Sequence, residues 1–290
     1  MPGRQPIPTA LLAVTLLACL PSAHVHARAT EEIARGYAYL ARGDLERADV
    51  AFAHALEFNE DTPEALNGAG IVARRMGRDG DARHRFQHAL RVAPDFAEAY
   101  VNLGELDLAE GRDDAAEEDF RAALRIDPDL VVARLDLART LLHRGRRDLA
   151  HREERWAAAR REYLHLLEAQ EVAEAHHDLA FMEYEEQRWD EAADEYRRAA
   201  ALAPRYVEAL HGWCIASARA GRCDEAEAAC RRCLEVAPGE ERCEVSARGA
   251  AACGGGPVNE IPRPGARKTA GPGSARSEPG PARGSFSSAG

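Results

Sequence analysis

Between Cys19 and Cys214 the chain has no cysteine, so neither a disulfide nor a thiolate metal centre can be built into that stretch. It also lacks a phosphate-cradling glycine loop, a nucleophile elbow and an H-E-x-x-H helix, which removes the common signatures of nucleotide, acyl-transfer and metalloprotease chemistry. No catalytic constellation, cofactor, metal or small-molecule substrate is therefore expected. The folded part carries no basic stripe and the formal net charge is −11, which argues against a nucleic-acid partner. The one strongly apolar run, Ala10 to Leu20, is too short to cross a bilayer as a mature helix.

What the chain does have is a period. Gly43, Gly77, Gly111 and Gly145 stand 34 residues apart. After the first three come a small residue (Ala48, Ala82, Ala116), a Phe four places later (Phe52, Phe86, Phe120) and an Ala-Leu pair at Ala55, Ala89 and Ala123. Pro94 and Pro128 then close two of the three units. A unit of this length cannot bury its own apolar face and must stack on copies of itself.

These residues resemble the tetratricopeptide repeat, a helix-turn-helix unit of 34 residues. Repeat two (Pro63 to Phe96) and repeat three (Ala97 to Leu130) match nearly throughout, with Gly70, Ala82, Phe86 and Pro94 in the first and Gly104, Ala116, Phe120 and Pro128 in the second. Repeat one (Ala29 to Thr62) has Glu60 at the proline place, while repeats five (Ala173 to Tyr206) and six (Val207 to Glu240) keep Pro204 and Pro238. The resemblance implies an all-α, right-handed superhelical solenoid of about six repeats over residues 30–240. Repeat four, 131–172, is longer. From Gly145 to Gln187 the interval is 42 residues, eight more than the period. The added stretch near 146–158 is charged, alanine-rich and free of proline, so it reads as helix. A second helix starting two turns early would carry Trp156 on a projection, either a solvated extension or a docking spur.

The first 29 residues read as an export signal: Arg4, the apolar run and Pro21. Two cleavage sites compete. Leu16-Leu17-Ala18-Cys19 resembles a lipobox that would make Cys19 the lipidated first residue of a tethered chain. Ala27-Arg28-Ala29 offers an ordinary signal-peptidase site and a soluble periplasmic protein. With Leu20 after Cys19, the lipoprotein rule of that class would send the chain to the periplasmic side of the outer membrane. The stretch 254–290 is rich in Gly, Pro and Ser, is basic, and is expected to be disordered.

Cys214, Cys223, Cys230, Cys233, Cys243 and Cys253 all fall in repeat six and a capping segment, 241–253. An even number in an exported chain points to disulfides. The alternative is a redox or metal-binding module around Cys230 and Cys233, a C-x-x-C spacing that here falls within a helix pattern. On the register that the resemblance supplies, Cys214 and Cys230 face each other across the helix pair. Cys233 meets Cys243 of the next packing segment, and Cys223 and Cys253 remain for each other.

The resemblance also assigns the groove, because in this family the first helix of each repeat lines the concave face. Its inward positions give Ile33, Tyr37, Leu40, Ile71, Val101, Leu108, Leu135, Leu142, Phe181 and Tyr184, an apolar surface of which about half is expected to serve helix packing. The fifth positions hold no lysine, which argues against a carboxylate clamp, and His177 and His211 there are expected to line the groove. His84 and His88 sit one turn apart on an outer face and read as an exposed pair. An exported chain of six repeats is similar in architecture to the pilotin lipoproteins that help type IV pilus secretins assemble. The implied function is a non-catalytic envelope scaffold that holds an apolar or amphipathic segment of a partner protein and touches the membrane only through a lipid on Cys19.

Overall fold

The computed structural model describes residues 10–250 and Cys253, with side chains from His26 onward. The side chain of Cys19 and the stretch 254–290 lie outside the described residues. Thirteen α-helices and one 3-10 turn fill the described part, which contains no strand. They pair in chain order: α1 (Ala10–Ala41) with α2 (Leu45–Phe58), α3 (Pro63–Arg75) with α4 (Asp79–Val92), and α5 (Ala97–Ala109) with α6 (Asp113–Ile126). Next come α7 (Val131–Arg147) with α8 (Arg152–Ala169), α9 (Ala173–Glu185) with α10 (Trp189–Leu202), α11 (Val207–Arg219) with α12 (Cys223–Val236), and a capping helix α13 (Glu241–Ala250). Among the described residues no helix is long and apolar enough to cross a membrane.

The first five pairs share one packing device. Phe52, Phe86, Phe120, Tyr163 and Tyr196 are fully buried on the second helices. In the first three pairs the ring abuts a glycine of the first helix: a Cβ on Gly36, Gly70 or Gly104 would come within 2.7, 2.4 and 2.7 Å of its ring. The small residue lets the helices close and the aromatic fills the space beside it. Gly43, Gly77, Gly111 and Gly221 lie at the turns with φ between 73° and 76°, a conformation that costs other residues energy. They end their helices in the hydrogen-bond pattern of Gly77 N–H to the Arg74 carbonyl and Arg78 N–H to the Ala73 carbonyl. In repeat five Gln187 takes this place, at φ 62°.

Gly145 does not belong to that series. It lies inside α7, and Trp156 occupies the space a side chain would need, its Cδ1 2.4 Å from where a Cβ would stand. The eight extra residues are shared: α7 has 17 residues against 13 in α5, and α8 has 18 against 14 in α6. The insertion thus adds about one turn to both helices and leaves no two-turn projection of the second alone. Trp156 is only 4% exposed, and its indole N–H donates to the Leu142 carbonyl at 3.2 Å. It is a packing residue, and the spur reading falls.

The first helices touch from repeat to repeat, α1 on α3, α3 on α5, α5 on α7 and α9 on α11, whereas no two second helices make comparable contact among the described residues. Elements that crowd on one side and splay on the other curve the stack, with the first helices inside.

Candidate functional site: the concave groove

The ten groove residues divide evenly. Ile33, Tyr37, Ile71, Leu108 and Leu135 keep surface on the inner face. Leu40, Val101, Leu142, Phe181 and Tyr184 are at most 7% exposed and belong to the core. The reason is local. Leu40 packs with Ala48, Phe52 and Val72, while Val101, Leu142 and Phe181 share a cluster with Trp156. Trp189 stands edge-on to Tyr184 at 4.7 Å. As sites of partner contact those five are withdrawn.

The groove is also more polar than its inward positions imply. Tyr37 donates to the Glu64 carbonyl at 3.1 Å, Asn102 donates to the Asn67 side chain at 2.8 Å, and Arg74 pairs with Glu105. Further along, the Asp178 carboxylate accepts from Arg139 and from the Tyr163 hydroxyl, both at 3.0 Å, and meets His177 at 2.9 Å. Burial works against the Asp178 charge, but His177 and Arg139 outweigh it and hold its pKa below the usual carboxylate value. At Asp136 the Arg139 and Arg74 charges do not offset the loss of solvent; burial, helped by Glu105, pushes it up to about 6. The Tyr37, Asn102, Arg74 and Arg139 bonds tie one first helix to the next, and apart from Tyr37 their residues could not be picked out by apolar patterning.

The histidines do not line the groove as a free pair. His177 rests against Tyr196 and Tyr206, with ring centroids 5.5 and 5.0 Å away. His211 is buried, has no hydrogen-bond partner at Nε2, and is lowered to about 4 by burial and then by the Arg242 charge. On the outer side His88 bonds Asp61 at 3.0 Å, with the His84 ring 6.4 Å from its own. Sequence reading missed His176, buried between Glu171 and Glu195 at 2.5 and 2.6 Å. Burial opposes its charge, but the two carboxylates prevail and raise its pKa.

At the far end three disulfides join Cys214 to Cys230, Cys233 to Cys243 and Cys223 to Cys253, with Cα atoms 5.0, 5.7 and 5.5 Å apart. They staple α11, α12 and the segment ending at Cys253, and leave none of the six cysteines as a thiol. Among the described residues no group of three or more His, Cys, Asp or Glu side chains could hold a metal ion.

Helix pairs of this length, closed by Gly-on-aromatic contacts and curved with their first helices inside, match a known pattern. The family pattern described as tetratricopeptide repeat fits residues 68–131. The chain carries the tetratricopeptide-repeat pattern in that stretch and the fold of such repeats around it. Its fold is similar to that of pilF of Pseudomonas aeruginosa, with a TM-score of 0.67 and 18% identity over 76% of this chain and 97% of that one. PilW, described as a widely conserved type IV pilus biogenesis factor, gives a TM-score of 0.63 at 18% identity over 74% and 96%. A tetratricopeptide-repeat protein of Parabacteroides merdae gives 0.56 at 18% over 78% and 86%. At such identities the likeness is one of fold. No curated protein matches the sequence.

Proposed function

We propose that this tetratricopeptide-repeat chain is a non-catalytic scaffold of the cell envelope, exported, lipidated at Cys19, and holding a segment of a partner protein in its groove. The observation that carries the reading is the inner face. Ile33, Tyr37, Ile71, Leu108 and Leu135 keep apolar surface there, between hydrogen-bonded rungs that fix the first helices in place. A preorganised surface of alternating apolar and polar positions suits an amphipathic segment, since little ordering free energy is lost on binding. The fold shared with pilF and PilW supports assembly of an envelope complex such as a type IV pilus secretin as the setting. Three disulfides in one terminal module fit an oxidising compartment. The bridging of all six cysteines supports structural staples over the redox or metal reading of that module.

Leu135→Glu tests the groove. The substitution should abolish capture of the partner in an envelope pull-down while helical content stays within a few per cent, because a carboxylate in an apolar contact must be desolvated without a counter-charge. Unfolding of the variant would place Leu135 in the core and remove it from the site. Anchoring has its own test. Cys19→Ser should move the protein from the membrane to the soluble fraction, and membrane association equal to that of the unaltered chain would exclude the lipid anchor.

A further inference from the structure

The extra turn of repeat four builds a feature that the other repeats cannot have. First helices of 13 residues end where α7 reaches His143; residues 144–147 are the added turn. On the groove side this overhang opens a cleft of about 610 Å³, lined among others by Leu108, Asp136, Arg139, His143, Arg146 and Arg147. Three arginines against two aspartates, Asp113 and Asp136, give its lining a small positive excess in a chain of net charge −11.

The cations of the cleft are not equivalent. Arg139 is bonded to Asp178 at 3.0 Å, and Arg147 is paired with Asp113. Arg146 has no carboxylate partner among the described residues; its guanidinium lies 4.6 Å over the face of buried Phe181. Stacking of this kind holds the planar group and leaves its edge N–H donors directed outward, so much of the entropy of ordering a long side chain is already spent before a ligand arrives. His143 stands one turn back on the same helix. Desolvation at the edge of the cleft, followed by the Arg146 charge, holds its pKa below the ordinary value. Leu108 supplies an apolar wall.

We propose that this cleft binds a carboxylate-bearing segment of a partner protein, with an Asp or Glu side chain meeting Arg146 and a neighbouring apolar side chain resting on Leu108. The proposal rests on the groove reading above and deepens it by naming the chemistry of the partner. Charge complementarity selects a short acidic segment over an extended polyanion. Asp113 and Asp136 line part of the cleft, Glu105 lies beside Asp136, and with the acidic body beyond them they repel an extended polyanion such as a nucleic acid or an anionic lipid surface. Nor is this the clamp that fifth-position lysines would make. Arg146 lies on a turn that regular repeats lack.

The test uses an array of hexapeptides in which one central position is fixed as Glu, Gln, Lys or Leu, probed with the full exported chain. Glu peptides should be captured about tenfold more strongly than their Gln counterparts, the preference a charge-assisted guanidinium contact supplies. Arg146→Gln should remove that preference, with the exposed site leaving the fold unchanged, and Arg146→Lys should retain part of it. Equal capture of Glu and Gln peptides, or a full Glu preference in Arg146→Gln, would overturn the proposal. If apolar hexapeptides bind and are lost in Leu135→Glu while Glu confers nothing, the groove reading stands and the acidic-segment proposal falls. If no peptide in the array is captured, both fall.

Discussion

Trp156→Ala is expected to destabilise the fold by about 3–5 kcal/mol, the range for truncating a buried aromatic that leaves a cavity. Three contacts are lost at once. The indole covers Gly145, which has no side chain of its own to fill the space. Its N–H satisfies the Leu142 carbonyl. Its edge meets Phe181 of the next repeat, with centroids 6.3 Å apart. The last contact makes the effect reach beyond repeat four, because a solenoid is held together by nearest-neighbour interfaces and a weak central one uncouples its two ends. Hydrogen exchange should therefore show α7, α8 and α9 losing protection before α3 to α6. Arg152→Ala is the control. It removes a guanidinium 3.9 Å over the same ring but leaves the packing, and should cost about 1 kcal/mol or less. A melting profile of Trp156→Ala within a degree of the parent would mean that the indole is dispensable to the core, and would restore the docking spur.

The same residue shows where the sequence is legible and where it is not. The period, the helix pairs and the aromatics Phe52, Phe86 and Phe120 follow from spacing, because each repeat solves one packing problem in one way. Gly145 keeps the spacing but serves a different end. Gly77 is needed for its positive φ, Gly145 for the missing Cβ under Trp156, and a letter in a sequence does not distinguish the two. Spacing likewise counts the eight inserted residues without saying how they divide. The division into one turn on each helix follows from packing, since a lengthened α8 needs a lengthened α7 to lie on.

The groove was legible only as a set of inward positions. Whether an inward side chain stays accessible depends on what the neighbouring helices lay over it. Leu142 and Phe181 were lost to the Trp156 cluster, Tyr184 to Trp189, and Leu40 to the first repeat's own core. The polar rungs escaped for the opposite reason. Asn67, Arg74, Arg139 and Asp178 each look like an ordinary surface residue until the next repeat supplies a partner 31 to 39 residues away. The cysteines could be placed opposite one another because the repeat register that positions Gly70 against Phe86 also positions Cys214 against Cys230.

That equivalence carries the second large prediction. In repeats one to three, the place of Cys214 is held by Gly36, Gly70 and Gly104, and the place of Cys230 by Phe52, Phe86 and Phe120. The bridge therefore stands where a ring-on-glycine contact otherwise closes the helix pair, and Cys214 and Cys230 are both at most 3% exposed. Replacing both, as Cys214→Ala with Cys230→Ala, should cost about 3 kcal/mol, the value expected for a bridge spanning 16 residues. Some cavity cost comes on top, because two alanines fill less than two sulfurs. The loss should fall on α11 to α13 and leave α3 to α6 as protected as before. Cys214→Gly with Cys230→Phe should then recover much of the loss, because it restores the contact that closes the earlier repeats. Thermal melts of the parent and both double variants decide the matter. An Ala pair as stable as the parent would show that the bridge adds nothing to packing. A Gly-Phe pair no better than the Ala pair would show that α11 and α12 meet by a geometry other than that of the preceding repeats.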